Sequence, residues 1–256
     1  MFAPMFRNLP AIFILTILCS SKALSMTVDE WLAQADRLEQ AGDTREALAA
    51  LKKADSLSPN RPEILVRIAK QHGDLMTKMR DAKDREAAAA RSLAYSRRAL
   101  EIAPNLSDSH LAVAISLGKS TEFMGNREKI ETSREIRQHA ERALELNPRC
   151  DYAHHMLGRW HQELAGIGGA TRALARLIYG AVPKASYDEA LHHLKRAREL
   201  QPQRLIHKIE FGRTLAMMGR DAEAREILTA ALAMPDREKD DAEAKQRARA
   251  TLRDIR

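Results

Sequence analysis

The ten residues from Asp151 to Trp160 carry Tyr152, His154, His155 and Arg159, and His161 follows at once. Three imidazoles so close together invite a metal ion. His154 and His161 are seven apart and share one face of a helix, so both rings can point the same way. Seven residues is also two turns, too far for one ion without ligands from elsewhere. No Cys-x-x-Cys or His-Glu-x-x-His pattern frames the stretch, and no metal is assigned from the sequence. Gly166-Ile167-Gly168-Gly169 has the look of a phosphate loop, yet it follows a helical pattern rather than a strand and lacks the Gly-Lys-Ser/Thr ending. A bend between helices accounts for it better. With no nucleophile elbow, paired-carboxylate frame or cofactor fingerprint, the chain offers no catalytic residue and calls for no cofactor.

The elements that must position these residues repeat. From Trp31 the pattern runs Trp31, Ala35, Leu38, Gly42, Ala47, Leu51, Ala54 and Pro59. It resembles a tetratricopeptide repeat: two short helices, small residues where they cross, a glycine at the turn and a proline closing the unit. Ala35 and Ala47 allow close approach, Leu38 and Leu51 fill the seam, and Asp43-Thr44 offers an N-cap. The Ala-(x)4-Pro closure recurs at Ala54/Pro59, Ala99/Pro104, Ala143/Pro148 and Ala197/Pro202, and one residue shorter at Ala231/Pro235. The expected fold is therefore all-α: a right-handed tetratricopeptide-like α-solenoid of about five helical hairpins. The hairpins fall at about 27–59, 60–104, 105–148, 149–202 and 203–235.

The prolines are 45, 44, 54 and 33 residues apart, against a usual repeat of about 34. The second and third hairpins share almost the same excess, so both should lengthen together, through Gly73 to Ala90 and Lys119 to Arg134, and keep their extra turns packed. The fourth carries an insertion instead. Ala170 to Tyr179 reads as a short basic helix with Ala173, Leu174, Leu177 and Ile178 on one face and Arg172 and Arg176 outside it. Burial of that face against the neighbouring hairpin, or as a lid across one end of the groove, is the expectation; contact with a membrane is the alternative. Ser186 should cap the next helix, and residues 236–256 form a charged cap whose sparse apolar positions are Ala244, Ala248 and Leu252.

Composition bounds the function. Apolar residues make up 45% and aromatics only 4%, and the formal charge of +7 is spread through interleaved acids and bases. That is a set of solvated helix faces rather than a nucleic-acid platform. Residues 1–25 read as a secretory signal: Arg7, an apolar core from Ala11 to Leu18, and Ala23-Leu24-Ser25 as the cleavage site. The apolar run is short of the roughly 20 residues of a spanning helix, and an uncleaved anchor is the alternative. Cleavage would lower the charge to +5 and remove Cys19, leaving Cys150 as a lone, buried, apolar thiol. Export to a bacterial periplasm is the expected localisation.

Tyr152-Ala153-His154-His155-Met156-Leu157-Gly158-Arg159-Trp160, with Leu177 to Leu191, resembles the regulator of microtubule dynamics protein family. The resemblance is specific over about 148–202 and looser from about Ser92 to the C-terminus. It implies a non-enzymatic tetratricopeptide-like adaptor, associated in eukaryotes with microtubules, mitochondria or membrane contacts, with phospholipid binding in some members. An export signal is at odds with microtubule binding, so that partner is not carried over, and the chain reads as a bacterial exported relative.

In tetratricopeptide solenoids the first helix of each hairpin lines the groove. In frame with Leu157-Gly158, its groove-facing positions are Asp36, Lys70, Ile115, Arg159 and Arg213. Arg159 and Arg213 could converge on a carboxylate or phosphate, or pair with local acids such as Glu163 and Glu210. Tyr152, His155, Arg159, Arg213 and Lys70 are the expected groove residues, with Leu174, Leu177 and Ile178 as the lid. The function read from these features is a scaffold that binds a protein or peptide partner; an anionic phospholipid is the alternative ligand and a metal-dependent enzyme the third reading.

Overall fold

A computed structural model describes residues 26–180 and 182–255; the signal sequence expected at 1–25, with Cys19, lies outside them. Twelve helices and no strand occur among the described residues. The first hairpin is α1 (Val28–Ala41) and α2 (Thr44–Leu57), the second α3 (Pro62–Lys78) and α4 (Ala82–Ile102). The third is α5 (Ser107–Ser120) and α6 (Asn126–Leu146), joined through a 3-10 turn at Thr121–Phe123. In the fourth, α7 (Asp151–Ala165) and α9 (Tyr187–Leu200) are separated by the inserted α8 (Gly169–Tyr179). The fifth is α10 (Leu205–Met217) and α11 (Asp221–Leu232), and α12 (Asp241–Asp254) follows it.

The closures explain why these segments pack as hairpins. Ala54, Ala99, Ala143, Ala197 and Ala231 all have no exposed surface, as do Ala35 and Ala47, so helix axes approach where only a methyl group intervenes. Around them Leu51, Ile64 and Ile68 form the core of the first two units, with Trp31 and Leu38 packed against it. Gly158 brings α7 onto α9: a Cβ there would sit 2.5 Å from Leu194 Cγ. Gly212 does the same for α10 and α11, with Leu228 Cγ 2.8 Å from such a Cβ.

The ends of the helices are set locally. Thr27 and Glu30 form a reciprocal capping box on α1, Asp81 caps α4 through the amides of Lys83 and Asp84, and Ser186 accepts from the Glu189 amide at 3.2 Å. The expected cap at Asp43-Thr44 takes another form. Asp43 stands at the cap position but its side chain accepts no capping bond; Thr44 instead donates to Gly42 O and accepts from Lys78 Nζ at 2.9 Å.

The extended units lengthen together. Their second helices, α4 and α6, are each 21 residues long, and Arg85 Nη2 bonds Glu122 Oε2 at 2.6 Å where the added turns meet. Finally, α12 buries Ala244 and Ala248 against Leu205, Ile209 and Leu228, leaving its charged face outward as a solenoid cap requires.

Candidate functional site

First helices line one concave face. There a cavity of about 1050 Å³ opens between α1, α3 and α5, and Tyr152, Arg204 and residues 236–240 complete its wall. Its floor is apolar, from Val66 and Ala69 of α3 and Leu111, Ala112 and Ile115 of α5. Asp36 also lines it, held with Glu39 by Arg67, whose Nη2 lies 2.6 Å from Asp36 Oδ1 and 3.1 Å from Glu39 Oε2.

One region of the cavity is cationic. Asp74 is met by Lys70 Nζ at 3.7 Å, Lys119 Nζ at 3.6 Å and Lys239 from the segment after α11. Lys119 also donates to Gly73 O at 2.7 Å. Three ammonium groups thus share one carboxylate. Burial lowers the Lys119 pKa, with nearby Lys70 also lowering it and Asp240 and Glu243 raising it. Burial and the Lys70 charge bring Lys239 down to about 8. Asp240, Glu243 and Glu39 offset part of that positive charge, and an incoming carboxylate or phosphate would share the three ammonium groups with Asp74.

The other side of the cavity is a polar lock. Tyr152 Oη donates to Glu238 Oε2 at 2.9 Å, Arg204 Nε donates to Glu238 Oε1 at 2.6 Å, and the Arg204 guanidinium lies 4.2 Å from the Tyr152 ring centroid. Arg204 also pairs with Asp151, which receives His207 Nε2 at 2.8 Å. Burial pushes the Tyr152 phenol well above its ordinary range, so it remains a donor at physiological pH.

Of the residues expected in the groove, Lys70 and Tyr152 line this cavity. His155 does not face it. It is buried, with Nδ1 3.0 Å from His207 Nδ1, and burial holds it neutral. Arg159 and Arg213 do converge, but on an acid of the chain itself. Glu210 has no exposed surface; its Oε2 lies 3.0 Å from Arg159 Nη1 and 2.7 Å from Arg213 Nη1, and Arg247 Nε of α12 approaches Oε1 at 3.4 Å. Arg159 also holds Glu163 at 2.7 Å. The expected lid is a helix, but its apolar face is uncovered: Leu174, Leu177 and Ile178 are 57%, 84% and 57% exposed, and α8 has no residue on the cavity wall. Arg172, expected outside, turns back to Leu164 O and Pro183 O, which ties α8 to the segments on either side of it. Cys150 is buried, which raises its thiol pKa.

Sequence reasoning missed Asp74, Lys119, Arg204 and the 236–240 segment. Asp74 and Lys119 were findable, each lying one turn after a groove-facing position, Lys70 and Ile115, on the same face; Arg204 and 236–240 depend on where the C-terminal segment crosses.

Hairpins of this kind, stacked with a concave face of first helices, define a tetratricopeptide-like solenoid. A thermophilic TPR protein of Thermus thermophilus superposes with a TM-score of 0.64 at 16% identity, covering 88% of this chain and 99% of that one. PilF of Pseudomonas aeruginosa superposes with a TM-score of 0.53 at 14% identity, covering 89% and 87%. More narrowly, the chain belongs to the family of regulator of microtubule dynamics proteins 1–3, whose match spans residues 31–256. Mouse regulator of microtubule dynamics protein 1 is 29% identical over 176 residues, 68% of this chain and 57% of that protein. The Xenopus laevis protein 3 is 28% identical over 158 residues, 62% and 34%. The chain thus spans from about a third to a little over half of the length of these relatives.

Proposed function

We propose that the chain is an exported, non-enzymatic scaffold that seats an extended segment of a protein partner in the cavity between α1, α3 and α5. The observation that carries this reading is the pairing of an apolar floor with three lysines around Asp74. Apolar side chains of the guest rest on Val66, Leu111 and Ile115, and an acidic side chain or terminal carboxylate meets Lys70 and Lys119. Regulator family membership and a solenoid fold support a binding role rather than catalysis. Export through residues 1–25 belongs to the same proposal.

Fluorescence anisotropy with labelled peptides tests it: an acidic peptide with apolar residues should bind, its lysine-substituted counterpart should not, and Lys70→Glu should weaken binding at least tenfold. Lys70 is 57% exposed along its side chain and Lys119 and Lys239 still pair with Asp74 in the variant; circular dichroism checks that it is folded. Equal binding of both peptides would refute the assignment.

The uncovered face of α8 favours a second reading, contact with anionic phospholipid, with Leu174, Leu177 and Ile178 in the acyl boundary and Arg176 at the headgroups. Co-sedimentation with anionic vesicles, abolished by Leu174→Asp without loss of helicity, would establish it; unchanged sedimentation would dismiss it.

A further inference from the structure

Away from the groove, the fourth hairpin holds a second cluster that the scaffold reading leaves unused. His161 of α7 and Glu189 and His193 of α9 each offer a ligand atom, all within 4.8 Å of one another. None lines the groove cavity. Glu189 and His193 are one turn apart on α9, which puts both on the face that meets His161. The His161 and His193 rings are stacked, with centroids 5.9 Å apart.

The proton positions follow from the partners. Pro148 O, 3.4 Å from His154 Nε2, can only accept. A neutral His154 therefore carries its proton on Nε2 and presents a lone pair at Nδ1. His193 Nδ1 lies 3.1 Å away and must donate to it, which leaves the His193 lone pair on Nε2. A hydrogen bond of this kind, made by the nitrogen that faces away from the ion, orients a ligating imidazole. Burial first, and then the neighbouring His154 and His192, bring His193 down to about 4, and burial also lowers His161, so both are neutral and able to ligate at pH 7. His161 is only 8% exposed, yet its Nδ1 has no hydrogen-bond partner.

The third hairpin supplies an internal comparison. Six residues after each closing proline, His110 repeats His154: its Nε2 lies 2.9 Å from Pro104 O and its Nδ1 2.9 Å from His139 Nδ1. His139 in turn has Glu135 one turn before it, Nε2 to Oε1 3.8 Å. The relay and the Glu/His pair are the same; at the position of His161 stands Leu117. Helix packing alone accounts for the relay in both hairpins, so what sets the fourth apart is a third ligand-bearing side chain with an unpartnered nitrogen.

We propose that His161, Glu189 and His193 bind a divalent transition metal of the zinc class, which ties α7 to α9 across the inserted segment 166–186. Ligand atoms on a tetrahedral zinc at about 2.0–2.2 Å stand about 3.4 Å apart. Closing from 4.8 Å or less means moving any two ligand atoms together by at most about 1.4 Å, through a rotamer shift of exposed Glu189 and a small turn of the His161 ring. Water would take the fourth position.

The untagged chain, purified in chelator-treated buffer, is titrated with zinc against a chromophoric competitor and separately with cobalt(II). The expected result is one equivalent bound with micromolar or tighter affinity, a tetrahedral cobalt spectrum, and a melting temperature raised by zinc. His161→Leu, which copies the third hairpin, and Glu189→Gln, at an exposed position, should each weaken binding at least tenfold, while His139→Leu leaves it unchanged. Helical circular dichroism shows that the variants are folded. Absence of zinc binding below 100-fold excess of metal, or binding that His161→Leu and Glu189→Gln leave intact, overturns the site.

Discussion

Glu210→Gln is the sharpest perturbation of the architecture. The carboxylate is fully buried and answers Arg159, Arg213 and Arg247 at 3.0, 2.7 and 3.4 Å, so it joins α7, α10 and α12 at one point. Removing one member of a buried ion pair costs about 3–5 kcal/mol because the other charge is left without compensation. Glutamine keeps the volume and one acceptor, and the three arginine side chains are 18% to 31% exposed, so water screens part of the loss. About 2–3 kcal/mol is the expected destabilisation, a drop of roughly 4–12 °C in Tm for a chain of this length. Urea and thermal unfolding followed by circular dichroism measure it, and hydrogen exchange should place the loss in α10 and α12. In 0.5 M NaCl most of the difference should persist, since a buried cluster is poorly screened. A loss below about 0.5 kcal/mol, or one erased by salt, would show that Arg159 and Arg213 are not held by Glu210 and would return them to the groove.

Gly158→Ala should cost about 1–3 kcal/mol, because the new methyl would meet Leu194 Cγ at 2.5 Å and force α7 from α9; denaturant titration checks it. Stability in EDTA-containing buffer should fall as pH drops from 6.5 towards 4. Burial first, then neighbouring charges, hold His72 and His193 at about 4, so over that window the unfolded chain binds more protons than the folded one. The decrease should be on the order of 2–4 kcal/mol and appear as a lower urea midpoint at pH 5 than at pH 7. Tyr152→Phe should loosen the 236–240 segment by about 1 kcal/mol through loss of the bond to Glu238, seen as faster amide exchange there.

The solenoid was legible because its grammar is steric. An alanine that must vanish between helices and a proline that must end them leave a spaced record, and all five closing alanines are fully buried. Periodicity also placed α8 and its apolar face. It could not say what would cover that face, since burial depends on partners brought from other units, and Leu174, Leu177 and Ile178 meet none among the described residues that buries them. The same limit applies to the histidines. His154 and His161 were recognisable as facing one way, but their neighbours Glu189 and His193 lie beyond an insertion, and only the register of α7 on α9 brings them together. Groove-facing frames found Lys70, and for Arg159 and Arg213 they left a choice between a ligand and the local acids Glu163 and Glu210; the structure takes the acids, and only Arg247, reaching in from α12, is invisible in any local pattern.

The segment after α11 has one more consequence. In a repeat array each unit ordinarily touches only the next, so ends fray independently and unfolding proceeds unit by unit. Here Lys239, which follows the fifth hairpin, pairs with Asp74 in the second, and Glu238 pairs with Tyr152 in the fourth. These links join units far apart in sequence and turn a linear stack into a closed mechanical circuit. The second to fifth hairpins then lose stability together, and that part of the array should melt as a single cooperative body rather than peel from its C-terminal end.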